Sequence, residues 1–156
     1  MKKIMLIALL YLVNFAGARA QDLAPVAVNG LNVSKQYTDA QVRAALGVPT
    51  RYSASTSENG ETREYQYGPV EAYDMIRCTD AWGLIDFALV SPRFSVFGGR
   101  LRVGDPLTKI YQLGFGRIES KGNRKYDCFV AQEDDPLEIT AGADGKIVMI
   151  AYSGSI

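Results

Sequence analysis

The chain has 156 residues, with 17 basic and 17 acidic side chains, two cysteines and no histidine. The missing histidine excludes serine–histidine and cysteine–histidine nucleophile pairs, histidine metal sites and the commonest general base near neutral pH. The balanced charge and scattered basic residues exclude the basic stripe of a nucleic-acid binder, and the small group Lys121, Arg124 and Lys125 reads as a solvated loop.

Lys2 and Lys3, an apolar run over residues 4–13, and Ala18-Arg19-Ala20 make the three parts of a secretory signal peptide, residues 1–20, cleaved near Ala20. The run of about ten residues is shorter than the roughly 20 that span a bilayer, so no transmembrane segment is expected. Gln21 stands where a lipid-anchor cysteine would follow the cleavage site, so no anchor is expected either. The predicted address is the periplasm or the medium. Without Lys2, Lys3 and Arg19, 14 basic groups face 17 acidic ones, a net charge of −3. Residues 21–156 are long enough for a real hydrophobic core.

Residues 22–33, with Asn29-Gly30 inside them, fit a short strand or an extended lead-in. Residues 37–49 then carry a full set of helix signals. Thr38 suits the N-cap, Gln41 completes a capping box, and Tyr37 and Val42 stand at the staple positions. Val42, Ala45 and Leu46 form an apolar stripe, and Gly47 and Pro49 end the helix. Residues 51–57 and 61–67 read as strands joined through Asn59-Gly60, a strong hairpin dipeptide. Residues 71–78 and 82–90 read as a second pair, followed by a short strand at 94–97 and a hinge at Gly98-Gly99.

Residues 103–114 repeat the helix signals. Asp105 suits an N-cap, Pro106 the first helical position, Leu107, Ile110 and Tyr111 the stripe, and Gly114 the stop. Strands follow at 116–120, 126–130, 137–140 and 146–152, the last two joined through Asp144-Gly145. The expected fold is therefore α+β, with two similar units, each a short helix on an antiparallel β-meander, possibly sharing one continuous sheet. The units are residues 21–97 and 98–156.

The run Gln41-Val42, Leu46-Gly47 and Pro49, with an aromatic strand containing Tyr65 and Tyr67, resembles the SmpA/OmlA-type domain of outer-membrane assembly lipoproteins. Its duplication over residues 30–152 resembles the beta-lactamase inhibitory protein family. The resemblance implies short helices on an antiparallel sheet and surfaces that bind other proteins without catalysis. The chain departs from both relatives. It lacks the anchor cysteine, and each half has one cysteine instead of an internal disulfide, so neither membrane attachment nor inhibition of a beta-lactamase carries over.

No catalytic, metal or cofactor residues are expected. Asp74, Asp80 and Asp86 are acids with no pattern that selects two as a catalytic pair. Glu133-Asp134-Asp135 lacks the spacing of an EF-hand and precedes Pro136, as an acidic turn would. Gly98, Gly99 and Gly104 mark turns, without the ending of a phosphate loop. Cys78 and Cys128 either close a disulfide across a loop of about 50 residues or remain two buried thiols. Tyr65, Tyr67 and Trp82 are the residues expected on a partner surface, with Tyr73, Phe94 and Phe97 in neighbouring segments. The expected function is an exported, non-enzymatic protein–protein interaction module whose partner is another exported or envelope protein. The alternative is a module binding a small ligand or glycan.

Overall fold

The computed structural model describes residue 23 and residues 25–58, 60–131 and 133–154; the expected signal peptide lies outside them. The first elements are a small hairpin, β1 (Ala27–Val28) and β2 (Leu31–Asn32), turned by Asn29 and Gly30. Helix α1 (Asp39–Leu46) follows, with both capping-box bonds formed. Thr38 N–H donates to Gln41 Oε1 at 2.9 Å, and Gln41 N–H donates to Thr38 Oγ1 at 3.2 Å. Gly47, at φ 85°, turns its N–H back to the Arg43 carbonyl and stops the helix. Val42 and Leu46 form its buried face, together stabilising by about 3–6 kcal/mol at the usual value for a buried aliphatic side chain.

Eight strands make the main sheet: β3 (Arg51–Ser57), β4 (Gly60–Tyr67), β5 (Asp74–Thr79), β6 (Gly83–Leu89), β7 (Arg117–Gly122), β8 (Lys125–Phe129), β9 (Leu137–Ala141) and β10 (Ile147–Ser153). Their order is β3-β4-β5-β6-β10-β9-β8-β7, with every pair antiparallel. Each set of four consecutive strands meanders through short turns, and the sets meet where β6 pairs with β10.

This architecture corrects the expected α+β pair of helix-plus-meander units. The described residues are mostly β, with 47% in strands and 11% helical, and they hold only one short α-helix. The second set of helix signals folds instead as a 3₁₀ segment, Leu107–Gln112. Its apolar residues satisfy a period of three as well as they satisfy i, i+3, i+4. Leu107, Ile110 and Leu113 turn toward the core, while Tyr111 stays 62% exposed. Its cap is also diverted. The Asp105 carboxylate accepts from Arg102 N–H at 2.9 Å and from Lys109 Nζ at 2.8 Å, and Leu107 N–H donates across to the Gly145 carbonyl at 2.9 Å. The expected strand at residues 94–97 reduces to isolated bridges, Val96 with Val28 and with Leu101.

Side chains alternate across each strand, so the register sorts the sheet into two faces. Tyr65, Ile76, Phe87, Tyr152, Leu137 and Cys128 stand in one row across β4, β5, β6, β10, β9 and β8. All six are buried. They join Val42 and Leu46 of α1, Val28 and Leu31 of the small hairpin, and Phe94, Val96, Leu101 and Ile110 in one core. Among the described residues, the helix, the small hairpin and the 3₁₀ segment that cover the sheet all lie on this side.

Candidate functional site

One residue along from the buried row, Gln66, Met75, Ala88, Ala151, Glu138 and Asp127 form the matching row on the opposite face. None of them is buried, and no helix or loop among the described residues is packed over them. Across eight strands at about 4.8 Å spacing this bare face is about 34 Å wide. Its charges are ordered. Arg77 on β5 stands between Glu64 on β4 and Asp86 on β6, at 3.4 and 3.0 Å. Burial raises the Asp86 pKa above the ordinary carboxylate value, and the Arg77 guanidinium opposes that rise. Toward the other edge Lys121 reaches Asp127 at 3.0 Å and Glu119 at 3.7 Å.

The two charged groups flank a smoother centre. Ala88 and Ala151 oppose each other at the β6–β10 junction, and with Met75, Asp86, Glu138 and Ser153 they line a trough of about 220 Å³. Small side chains at the middle of the wide face leave this trough open between the charges on either side.

A second concavity lies at the end of the sheet. Trp82, in the turn before β6, is 52% exposed and borders a hollow of about 300 Å³ with Leu84, Ile85, Tyr152, Ser34 and Gln36. The turn is firmly held. Trp82 N–H donates to Thr79 Oγ1 at 2.9 Å, and Gln36 Nε2 donates to the Asp80 carbonyl at 2.7 Å. Gly83 lets the backbone of Lys35 come so close that an added Cβ would stand 2.1 Å from its carbonyl oxygen. The indole is thus mounted on a rigid rim beside a wall of mixed character, Leu84, Ile85 and Tyr152 with Ser34 and Gln36.

Of the three residues expected on a partner surface, Trp82 alone is exposed. Tyr65 and Tyr67 are 0% and 1% exposed and belong to the core, which withdraws them from that surface. Tyr67 packs edge-on against Phe94 at 4.9 Å, and its hydroxyl donates to the Gly47 carbonyl at 3.4 Å. The Tyr65 hydroxyl and Asp39 Oδ1 are both buried and interact without reaching good hydrogen-bond geometry. Burial, and after it the Asp39 carboxylate acting on the hydroxyl first as an acceptor and then as a charge, push the Tyr65 pKa upward. The alternation in β4 carried this signal: Glu64 and Gln66 make the more polar face, so the tyrosines opposite them face the core.

Cys78 and Cys128 are both free and buried. They sit on β5 and β8, with β6, β10 and β9 between them. Four strand spacings, about 19 Å, exceed the reach of a disulfide. The possible bridge is therefore not formed, and burial pushes the Cys78 thiol up to about 11 and the Cys128 thiol up to about 12.

The acids are occupied structurally. The buried Asp74 carboxylate accepts from Val90 N–H at 2.7 Å, Ser91 N–H at 2.9 Å and Ser91 Oγ at 2.5 Å. Asp80 pairs with Arg63 at 2.8 Å and Asp86 with Arg77. Among the described residues no three acids or cysteines converge to hold a metal ion, those around Glu133 included. No helix among them is long and apolar enough to cross a membrane.

No protein-family model matches the chain, and no curated protein matches it. Two solved structures are similar. The uncharacterized protein yfeY from Escherichia coli has a TM-score of 0.47 at 16% identity, covering 81% of this chain and 95% of that one. A DUF4309 family protein (YjgB) from Bacillus subtilis has a TM-score of 0.42 at 17% identity, covering 81% of this chain and 83% of that one.

Proposed function

We propose that the chain is an exported, non-enzymatic protein–protein interaction module that docks another exported or envelope protein on the bare face of its sheet. The observation that carries this reading is the asymmetry of the sheet. One face holds the whole core, and the other presents a half-buried row with an alanine-floored trough between ordered charges. The absence of histidine and the structural use of the conspicuous acids support a role without catalysis. The sequence of residues 1–20 supports export, and the resemblance to SmpA/OmlA-type domains supports a binding role.

Affinity capture from the native envelope extract tests the reading, with Ala88→Arg plus Ala151→Arg as the variant. Both positions are only half-buried, so the arginines fill the trough without entering the core. Loss of the captured partner with the variant, and its retention by Trp82→Ala, is the expected result. Equal recovery by wild type and the trough variant would remove the bare face as the docking site.

The hollow beside Trp82 favours a second reading, a small-ligand or glycan site in which the indole stacks on a sugar face. Trp82 is the sole tryptophan, so its emission reports directly on that hollow. Titration with a panel of mono- and oligosaccharides should shift the emission if this reading holds, and a flat response to the whole panel would dismiss it.

A further inference from the structure

The two edges of the main sheet are built differently. At one edge, β7 carries Arg117, Glu119 and Lys121 in ion pairs and an irregularity in its pairing between Ser120 and Gly122. Charges and irregular pairing are the usual protection of a sheet edge against joining another strand. At the other edge, β3 has seven residues, all exposed, in unbroken register with β4. It contains no proline and no lysine, and its only ionised side chain is Arg51 at its start. Beyond Tyr52 every residue is small: Ser53, Ala54, Ser55, Thr56 and Ser57. No strand pairs with its outer side among the described residues. This edge is long, flat and unprotected.

We infer that β3 is a pairing edge for a second copy of this chain, joined antiparallel about a two-fold axis at Ala54. That register alone overlaps the full strand. It sets Ala54 opposite itself, Ser53 opposite Ser55, Tyr52 opposite Thr56 and Arg51 opposite Ser57. The facing side chains are small enough to meet without a clash, and an aromatic side chain faces a β-branched one, a favourable cross-strand pair. The charges do not conflict: the two copies of Arg51 fall about 20 Å apart along the strands, each opposite the uncharged Ser57 of the partner copy. Arg51 is already positioned by its own chain, stacked 5.1 Å from the centre of the Tyr73 ring. Pairing would join two eight-stranded sheets into one and continue the bare face across both copies. The inference rests on the edge and stands whether or not that face docks a protein.

Sedimentation equilibrium of the purified chain over a wide concentration series tests it, together with two double variants. Ser53→Lys with Ser55→Lys, and Ser53→Glu with Ser55→Glu, each set like charges directly opposite across the proposed pair. The wild-type chain should show a reversible monomer–dimer equilibrium. Each variant should be monomeric with an unchanged circular dichroism spectrum, and mixing the two should restore the dimer. A wild-type chain that stays monomeric throughout the series overturns the inference, as does a dimer that survives in both variants. A monomeric chain that instead binds an added extended peptide along β3 would also overturn it, because the occupant would then be a foreign strand.

Discussion

Replacing Gly83 with alanine tests how the rim of the Trp82 hollow is built. Gly83 has φ 81°, and an added Cβ would lie 2.1 Å from the Lys35 carbonyl oxygen and 2.2 Å from its carbonyl carbon. Both atoms belong to backbone, so the loop segment carrying Lys35 must retreat by about 1 Å or more to reach ordinary contact distance. That retreat breaks Leu84 N–H to the Lys35 carbonyl, at 3.0 Å, and Ser34 N–H to the Leu84 carbonyl, at 2.9 Å. Two lost backbone bonds cost about 2 kcal/mol, the left-handed conformation of a residue with a Cβ another 1–2, and loosened packing of Val33 about 1. The expected loss is about 4–5 kcal/mol, a fall in melting temperature of roughly 10–20 °C for a chain of this size. Gly98→Ala is the matched control, since Gly98 has φ 64° but nothing within 4 Å of the added Cβ. It should lose only the conformational cost, about 1–2 kcal/mol. Urea unfolding followed through Trp82 emission measures both. Equal losses in the two variants would refute the close-approach reasoning.

Asp74→Ala removes a buried carboxylate that satisfies three donors, and should cost about 3–5 kcal/mol in denaturant unfolding, with Asp74→Asn losing less because one acceptor oxygen survives. Tyr65→Phe deletes a buried hydroxyl whose contact with Asp39 lacks good hydrogen-bond geometry; its stability should change by less than about 1 kcal/mol, whereas Tyr65→Ala should lose about 3–5. Alkaline pH should unfold the protein cooperatively. Burial raises Cys78 to about 11, and Cys128, Tyr67 and Tyr152 to about 12, from ordinary values of 9.0 for the thiols and 10.0 for the phenols. Each group holds its proton more tightly when folded, so stability is complete below about pH 9 and falls progressively from there to about pH 12. Denaturant titrations at several alkaline pH values check this. A stability that is flat across that window would contradict the burial of these four groups.

Helix α1 was legible because every one of its signals is local. Thr38, Gln41 and Gly47 act within one turn of the backbone they cap, and nothing elsewhere competes for them. The second set failed because its signals are claimed by distant parts of the chain. Asp105 spends its carboxylate on Arg102 and Lys109, Leu107 donates to Gly145, and Ile147 N–H returns to the Asp105 carbonyl. The strand pairs that meet through tight turns were also readable, since Asn59-Gly60 and Asp144-Gly145 mark hairpins. The junction of β6 with β10 was not, because no turn residue reports a pairing between strands more than 50 residues apart in sequence. The two faces followed from that same missing information. Periodicity gives each strand two unlike sides, but only the register aligns Ala88 with Ala151 and shows the trough they floor. For Tyr65 and Tyr67 the polarity of Glu64 and Gln66 was the more reliable guide, and aromatic character by itself misled.

The last of the described strands in chain order, β10, occupies the middle of the sheet, between β6 and β9. Until it arrives, β6 and β9 each present an unpaired edge whose inward side chains, Phe87, Leu89, Leu137 and Ile139, belong to the core. Synthesis releases the chain from its N-terminus, so the sheet cannot close before residues 147–153 emerge. A chain interrupted short of Ile147 keeps two sticky halves and no native fold. The placement of β10 thus makes closure of the sheet wait on residues 147–153, however early the other seven strands are made.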